Sequence, residues 1–158
     1  SLMKAMGAKG AIVADIDPAK REAATRAGAL AVVDAKAPDA VKQVMAAAGG
    51  PVWAAIDLVG AETSARLGID SLVKGGKLVI VGLYGGAVTV STPLFPMKAM
   101  TIQGSYVGSP GELQELLNLV QTARPPRIPM TIRPLREANA AITDLKAGKQ
   151  IGRAILVP

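Results

Sequence analysis

The stretch Ala11-Ile12-Val13-Ala14-Asp15-Ile16-Asp17-Pro18-Ala19-Lys20 decides the fold. An apolar run stops on an aspartate, and three residues later Pro18 opens a helical segment that reaches about Ala27, with Gly28 as its stop. Proline inside the start and glycine past the end is the usual punctuation of a helix. Strand, short turn, helix is thus the first unit, and the chain repeats it. Ala31-Val32-Val33 is a second strand, and Pro38 to Ala48 a helix closed by Gly49-Gly50. Val52 to Val59 is a third strand, followed by a helix from Glu62 to Val73 with Gly75-Gly76 as its stop. Lys77 to Leu83 is a nearly continuous apolar strand, as expected of one covered on both faces.

Further along, Thr101 to Val107 reads as a strand and Gly111 to Thr122 as a helix. Leu135 to Lys146 is another helix, and Ile151 to Val157 a closing strand. Arg124-Pro125-Pro126-Arg127 is a stiff connector, too short for a domain linker. The alternation predicts βαβ units in one α/β domain over residues 1–158, a doubly wound parallel sheet. Composition agrees. Half of the 158 residues are hydrophobic, while only one Trp, two Tyr and one Phe are present. The core must therefore be aliphatic, as in a parallel sheet under alanine-rich helices.

The net charge of +6 does not point to nucleic acid. The basic residues are scattered, Arg124, Arg127 and Arg133 are separated by prolines, and aromatics for stacking bases are scarce. No apolar run approaches the roughly 20 residues that span a bilayer, and Ser1-Leu2-Met3-Lys4 resembles no targeting peptide. The cytoplasm is the default location. With no histidine and no cysteine, neither a disulfide nor an ordinary zinc site can be built.

Ser1 to Gly7 reads as the tail of a helix. A doubly wound dinucleotide fold has a strand and a glycine-rich turn before that helix. In the strand order 3-2-1-4-5-6 the absent strand 1 belongs between Ala11–Asp15 and Val52–Val59. A sheet without it leaves two rows of unpaired backbone groups at about 1–3 kcal/mol each, against a total stability of about 5–15 kcal/mol. The expectation is a piece of a longer chain.

Asp15 is the first residue with a specific chemical reading. In dinucleotide folds an acid at the end of strand 2 accepts hydrogen bonds from the adenosine ribose and repels a 2′-phosphate, favouring NAD over NADP. The plainer alternative, a helix cap, suits Asp17 better. Around Asp15, the segments Met6-Gly7-Ala8, Ala27-Gly28-Ala29, Ile56-Asp57-Leu58-Val59-Gly60, Lys74-Gly75-Gly76-Lys77, Val81-Gly82, Ile102-Gln103-Gly104-Ser105 and Gly148-Lys149 through Gly152-Arg153 fall in one order and spacing. Together they resemble the coenzyme-binding portion of the medium-chain, zinc-type alcohol dehydrogenase family, over almost the whole chain.

The resemblance implies an NAD-binding Rossmann-type domain, incomplete at its first strand, and a set of roles. Asp15 and Lys20 correspond to the ribose-binding pair, and Asp57, Leu58 and Val59 to the wall around the adenosine ribose. Val81, Gly82 and Leu83 lie beneath the nicotinamide, Ser105 and Val107 supply backbone groups to its carboxamide, and Arg153 pairs with the pyrophosphate. Each has a plainer alternative. Lys20 and Arg153 can be surface charges, Gly82 can relieve crowding at a strand end, and Leu58, Val59 and Val81 can be core residues. No catalytic or metal-binding residue is expected here, and zinc belongs to an N-terminal domain outside this sequence.

The implied function is hydride transfer between an alcohol or aldehyde and NAD. Rival readings are a zinc-free quinone oxidoreductase-type relative, an S-adenosylmethionine-binding methyltransferase-like domain, and a non-catalytic nucleotide-binding module. Asp15 disfavours the first of these rivals, which more often uses NADP, and the Gly148 to Arg153 segment disfavours the second. Finally, Thr101 to Tyr106 carries neither charge nor proline, so it lacks the usual protection of an edge strand. The resembling family pairs its sheets there, which implies a homodimer or homotetramer.

Overall fold

The computed structural model describes residues 2–125 and 128–158; Ser1, and Pro126 and Arg127 of the connector, lie outside them. A short helix α1 (Leu2–Ala5) leads into β1 (Ile12–Asp15), α2 (Pro18–Arg26), β2 (Ala31–Asp34), α3 (Ala40–Ala48), β3 (Val52–Asp57), α4 (Glu62–Ser71) and β4 (Leu72–Ile80). Then come α5 (Leu94–Lys98), β5 (Thr101–Gly104), α6 (Pro110–Ala123), β6 (Met130–Pro134), a 3-10 turn (Leu135–Glu137), α7 (Ala138–Lys146) and β7 (Arg153–Val157). Every described strand pair is parallel, as the alternation predicts.

The strands fall into three groups: β1 with β2, then β3-β4-β5, then β6 with β7. Within each of the first two groups the neighbouring strands are the expected ones. β2-β1 stands for 3-2 and β3-β4-β5 for 4-5-6, and β1 does not bond to β3. What joins them is the helical layer, in which α3 packs against α4. Val33, Ala40 and Val44 form one core, and Val52 from β3 and Leu67 from α4 reach across to it. The second core is Ala65, Ile69, Leu72, Leu78 and Met100, with Ile69 and Leu78 wholly inaccessible to solvent.

Local chemistry sets the ends of these elements. Asp17 caps α2, its carboxylate accepting the Ala19 amide at 2.9 Å, and Gly49 closes α3 in the left-handed region at φ 74°. The helix predicted to run to Val73 stops at Ser71 instead. Leu72, 2% exposed, turns into extended backbone and pairs with Val52, and the register then jumps to Ala54 opposite Lys77. Burying Leu72 in the core outweighs one more helical turn, and Val73 to Gly76 bulge out of the ladder.

Other boundaries shift as well. The strand predicted to reach Val59 ends at Asp57, that predicted to reach Leu83 at Ile80, and that predicted to reach Val107 at Gly104. The expected Leu135–Lys146 helix begins with a 3-10 turn, and the closing strand starts only at Arg153. Two elements lie beyond the sequence reading, α5 and β6. Each carries a proline, Pro96 and Pro134, and proline reads locally as a breaker.

Candidate functional site

Because the strands run parallel within each sheet, β1 and β2 end side by side, as do β3, β4 and β5, and the predicted residues lie at those carboxyl ends. Asp15 ends β1, directly beside Asp34 at the end of β2. One carboxylate oxygen of Asp15 accepts the Asp17 amide at 2.9 Å; the other has no donor among the described residues. The Asp15 carbonyl is held twice, by the Arg21 guanidinium at 2.7 Å and the Ala35 amide at 3.3 Å. Lys20 lies exposed on the first turn of α2. A carboxylate with a firmly anchored backbone and one free oxygen can accept a hydroxyl donor.

Asp57 is a different case. It is 5% exposed, and its carboxylate is consumed within the protein. One oxygen accepts the Val59 and Gly60 amides, both at 2.9 Å, and the other the Ser64 hydroxyl at 2.9 Å. Ser64 also takes the Ala61 amide at 3.1 Å, closing the start of α4. This capture of two successive amides is why β3 ends here. Asp57 therefore shapes the turn that carries Leu58 and Val59.

That turn is zippered to the one after β4. Val81 and Gly82 both donate to the Asp57 carbonyl, at 2.8 and 3.1 Å, while Tyr84 donates to Val59 at 3.0 Å and Gly85 to Gly60 at 3.2 Å. The approach is so close that a methyl group on Gly82 would overlap the Val59 carbonyl, and one on Gly60 would overlap Gly82. Crowding thus accounts for glycine at position 82. At the end of β5 the Ser105 amide donates to the Ile80 carbonyl at 2.9 Å, and Val107 sits at φ 48°.

The expectation that Leu58, Val59 and Val81 are core residues does not hold. They are 74%, 51% and 37% exposed, and Leu83, Tyr84, Tyr106 and Val107 are more exposed still. The strands end before these side chains reach the helical layers, so seven apolar or aromatic side chains stand open where β3, β4 and β5 end. A patch of this kind marks a surface that something covers. Tyr84, Arg21, Asp34 and Ser64 carry no local signal in the sequence, and only position in the fold reveals them.

Arg153 is not brought into this group by any contact described. It opens β7, at that strand's amino end, and pairs with Met130. Its amide donates to the Pro129 carbonyl at 2.9 Å. As for metal, no group of three or more candidate ligand side chains is assembled among the described residues. With no histidine or cysteine in the sequence, the residues present do not fit a zinc site.

Known proteins share this fold over nearly the whole chain. An alcohol dehydrogenase of Aeropyrum pernix superposes with a TM-score of 0.88 at 36% identity, covering 99% of this chain and 45% of that one. The NAD-dependent alcohol dehydrogenases of Sulfurisphaera tokodaii and Saccharolobus solfataricus are each 33% identical over 159 aligned positions, 99% of this chain and 46% of theirs. A quinone oxidoreductase of Pseudomonas syringae shares the fold at a TM-score of 0.80 and 23% identity. The chain spans a little under half the length of the curated alcohol dehydrogenases. Residues 1–122 match the family described as zinc-binding dehydrogenase, and the chain belongs to that family.

Proposed function

We propose that the chain is the coenzyme-binding part of an NAD-dependent oxidoreductase acting on alcohols or aldehydes. The observation that carries this reading is Asp15. It ends a parallel strand, and one of its carboxylate oxygens has no donor among the described residues. On this reading Asp15 and Lys20 hold the adenosine ribose, and Leu58 and Val59 wall it on the turn that Asp57 shapes. Val81, Gly82 and Leu83 lie beneath the nicotinamide, Ser105 and Val107 offer backbone groups to its carboxamide, and Arg153 reaches the pyrophosphate in the intact protein. The bound coenzyme supplies the hydride acceptor. Any zinc is held by residues outside this chain.

We further propose that the intact protein is a homodimer or homotetramer joined at β5, whose outer edge has no partner strand among the described residues. The coenzyme reading is tested by calorimetric titration of the intact protein with NAD and NADP. NAD should bind more tightly, and Asp15→Gly should narrow the difference. Losing one charge-assisted hydrogen bond costs roughly 1.5–3 kcal/mol, about ten- to a hundredfold in affinity. Equal affinities in the unsubstituted protein would overturn the reading.

A further inference from the structure

Asp15 is not the only ionised group at the end of β1. Arg21, one turn into α2, folds back so that one nitrogen donates to the Asp15 carbonyl at 2.7 Å. Its other terminal nitrogen pairs with the Asp34 carboxylate at 3.3 Å. Asp34 is the register partner of Asp15 on the neighbouring strand, and its second oxygen accepts the Lys36 amide at 2.9 Å. The guanidinium is thus pinned beside Asp15, with its side chain 19% exposed and that of Asp34 43% exposed. A planar guanidinium is the side chain best suited to a phosphate, which it can grip through two parallel bonds. A basic group beside the strand 2 acid is where a dinucleotide fold accommodates a 2′-phosphate.

We propose that Asp34 and Arg21 form a second coenzyme-specificity determinant alongside Asp15. Asp34 occupies the Arg21 guanidinium and adds a second negative charge, so that a cation anchored at the ribose end of β1 is withheld from a 2′-phosphate. This rests on the coenzyme reading above. Neither Asp34 nor Arg21 needs to touch NAD for the pair to act, because its effect is on the phosphorylated coenzyme. Removing the Asp34 charge releases Arg21 while its carbonyl anchor on Asp15 keeps it in place.

The test is the ratio of the dissociation constants for NADP and NAD, measured calorimetrically on the intact protein. In Asp34→Asn the ratio should fall about fivefold, the upper range for one charge pair at a part-exposed site. Adding Arg21→Gln to Asp34→Asn should return it toward the parent value. A ratio unmoved by Asp34→Asn overturns the proposal, as does a lowered ratio that survives the double substitution. Mere loosening of the fold weakens both coenzymes together and leaves the ratio where it was, which also counts against it. If Asp34→Asn does not fold, Asp34→Ser keeps an acceptor for the Lys36 amide and carries the same expectation. Failure of the unsubstituted protein to bind either coenzyme is a separate result, because it removes the coenzyme reading itself.

Discussion

Replacing Gly82 by alanine should cost far more than one methyl group suggests. Gly82 is not among the residues at positive φ, so the substitution isolates steric overlap from backbone strain. The added carbon would stand 2.5 Å from the Gly60 nitrogen and overlap the Val59 carbonyl. The Val59 carbonyl lies closer still, so restoring a normal contact of about 3.5 Å requires the two turns to part by roughly 1.5 Å. The bonds joining them, now 2.8 to 3.2 Å long, would then exceed hydrogen-bonding distance. Losing two to four of them at about 1 kcal/mol each predicts a destabilisation of about 2–4 kcal/mol. For a domain of this size that lowers the melting temperature by roughly 4–16 °C. Gly104→Ala is the control, since a carbon there meets nothing within 4 Å and should stay within about 0.5 kcal/mol of the parent. Melting of the two variants in the intact protein, followed by calorimetry, decides the matter. A Gly82→Ala protein that melts with the Gly104→Ala control would refute the argument that the turns are locked by contact.

Asp57→Ala orphans the Val59 and Gly60 amides and leaves the Ser64 hydroxyl only the Ala61 carbonyl to donate to, and should cost about 2 kcal/mol in urea unfolding; a midpoint unchanged from the parent would show that water replaces the carboxylate. Glu112 lies in the capping box of α6, and the Ser109 amide and hydroxyl hold its carboxyl below the usual carboxylate range. A group whose pKa is lowered on folding stabilises the fold fully above its unfolded value, and that contribution is lost as the pH falls through the folded value. Once exchange rates are corrected for their intrinsic pH dependence, protection at the first turn of α6 should therefore fall on acidification in the parent, and Glu112→Ala should remove that fall. Ile102→Pro on β5 should lower the solution mass measured by light scattering, and an unchanged mass would clear this strand as the joint.

How far the sequence reaches is clearest where neighbouring residues disagree. Asp15 and Asp17 stand two positions apart, yet they differ as their local order suggests: Asp17 caps α2, and Asp15 ends β1 with one carboxylate oxygen that has no donor among the described residues. Both depend on local order, an apolar run before the acid and a proline after it, and local order is what a sequence displays. Leu58 and Val81 show the opposite. Their composition marks them as interior, but burial depends on whether a strand continues far enough to place a residue beneath the helices. Here Asp57 ends β3 by taking up two amides, and Val81 and Gly82 bend onto its carbonyl. The bonds from Val81 and Gly82 link segments more than twenty residues apart, so periodicity within either segment carries no trace of them. The Arg21–Asp34 pair is hidden for the same reason, since only the parallel pairing of β1 with β2 makes the end of one strand the neighbour of the other. The elements and their order follow from local pattern, whereas the shape and electrostatics of the edge follow from where strands stop. A ligand at the carboxyl ends of a parallel sheet meets those stops, and there a sequence says least.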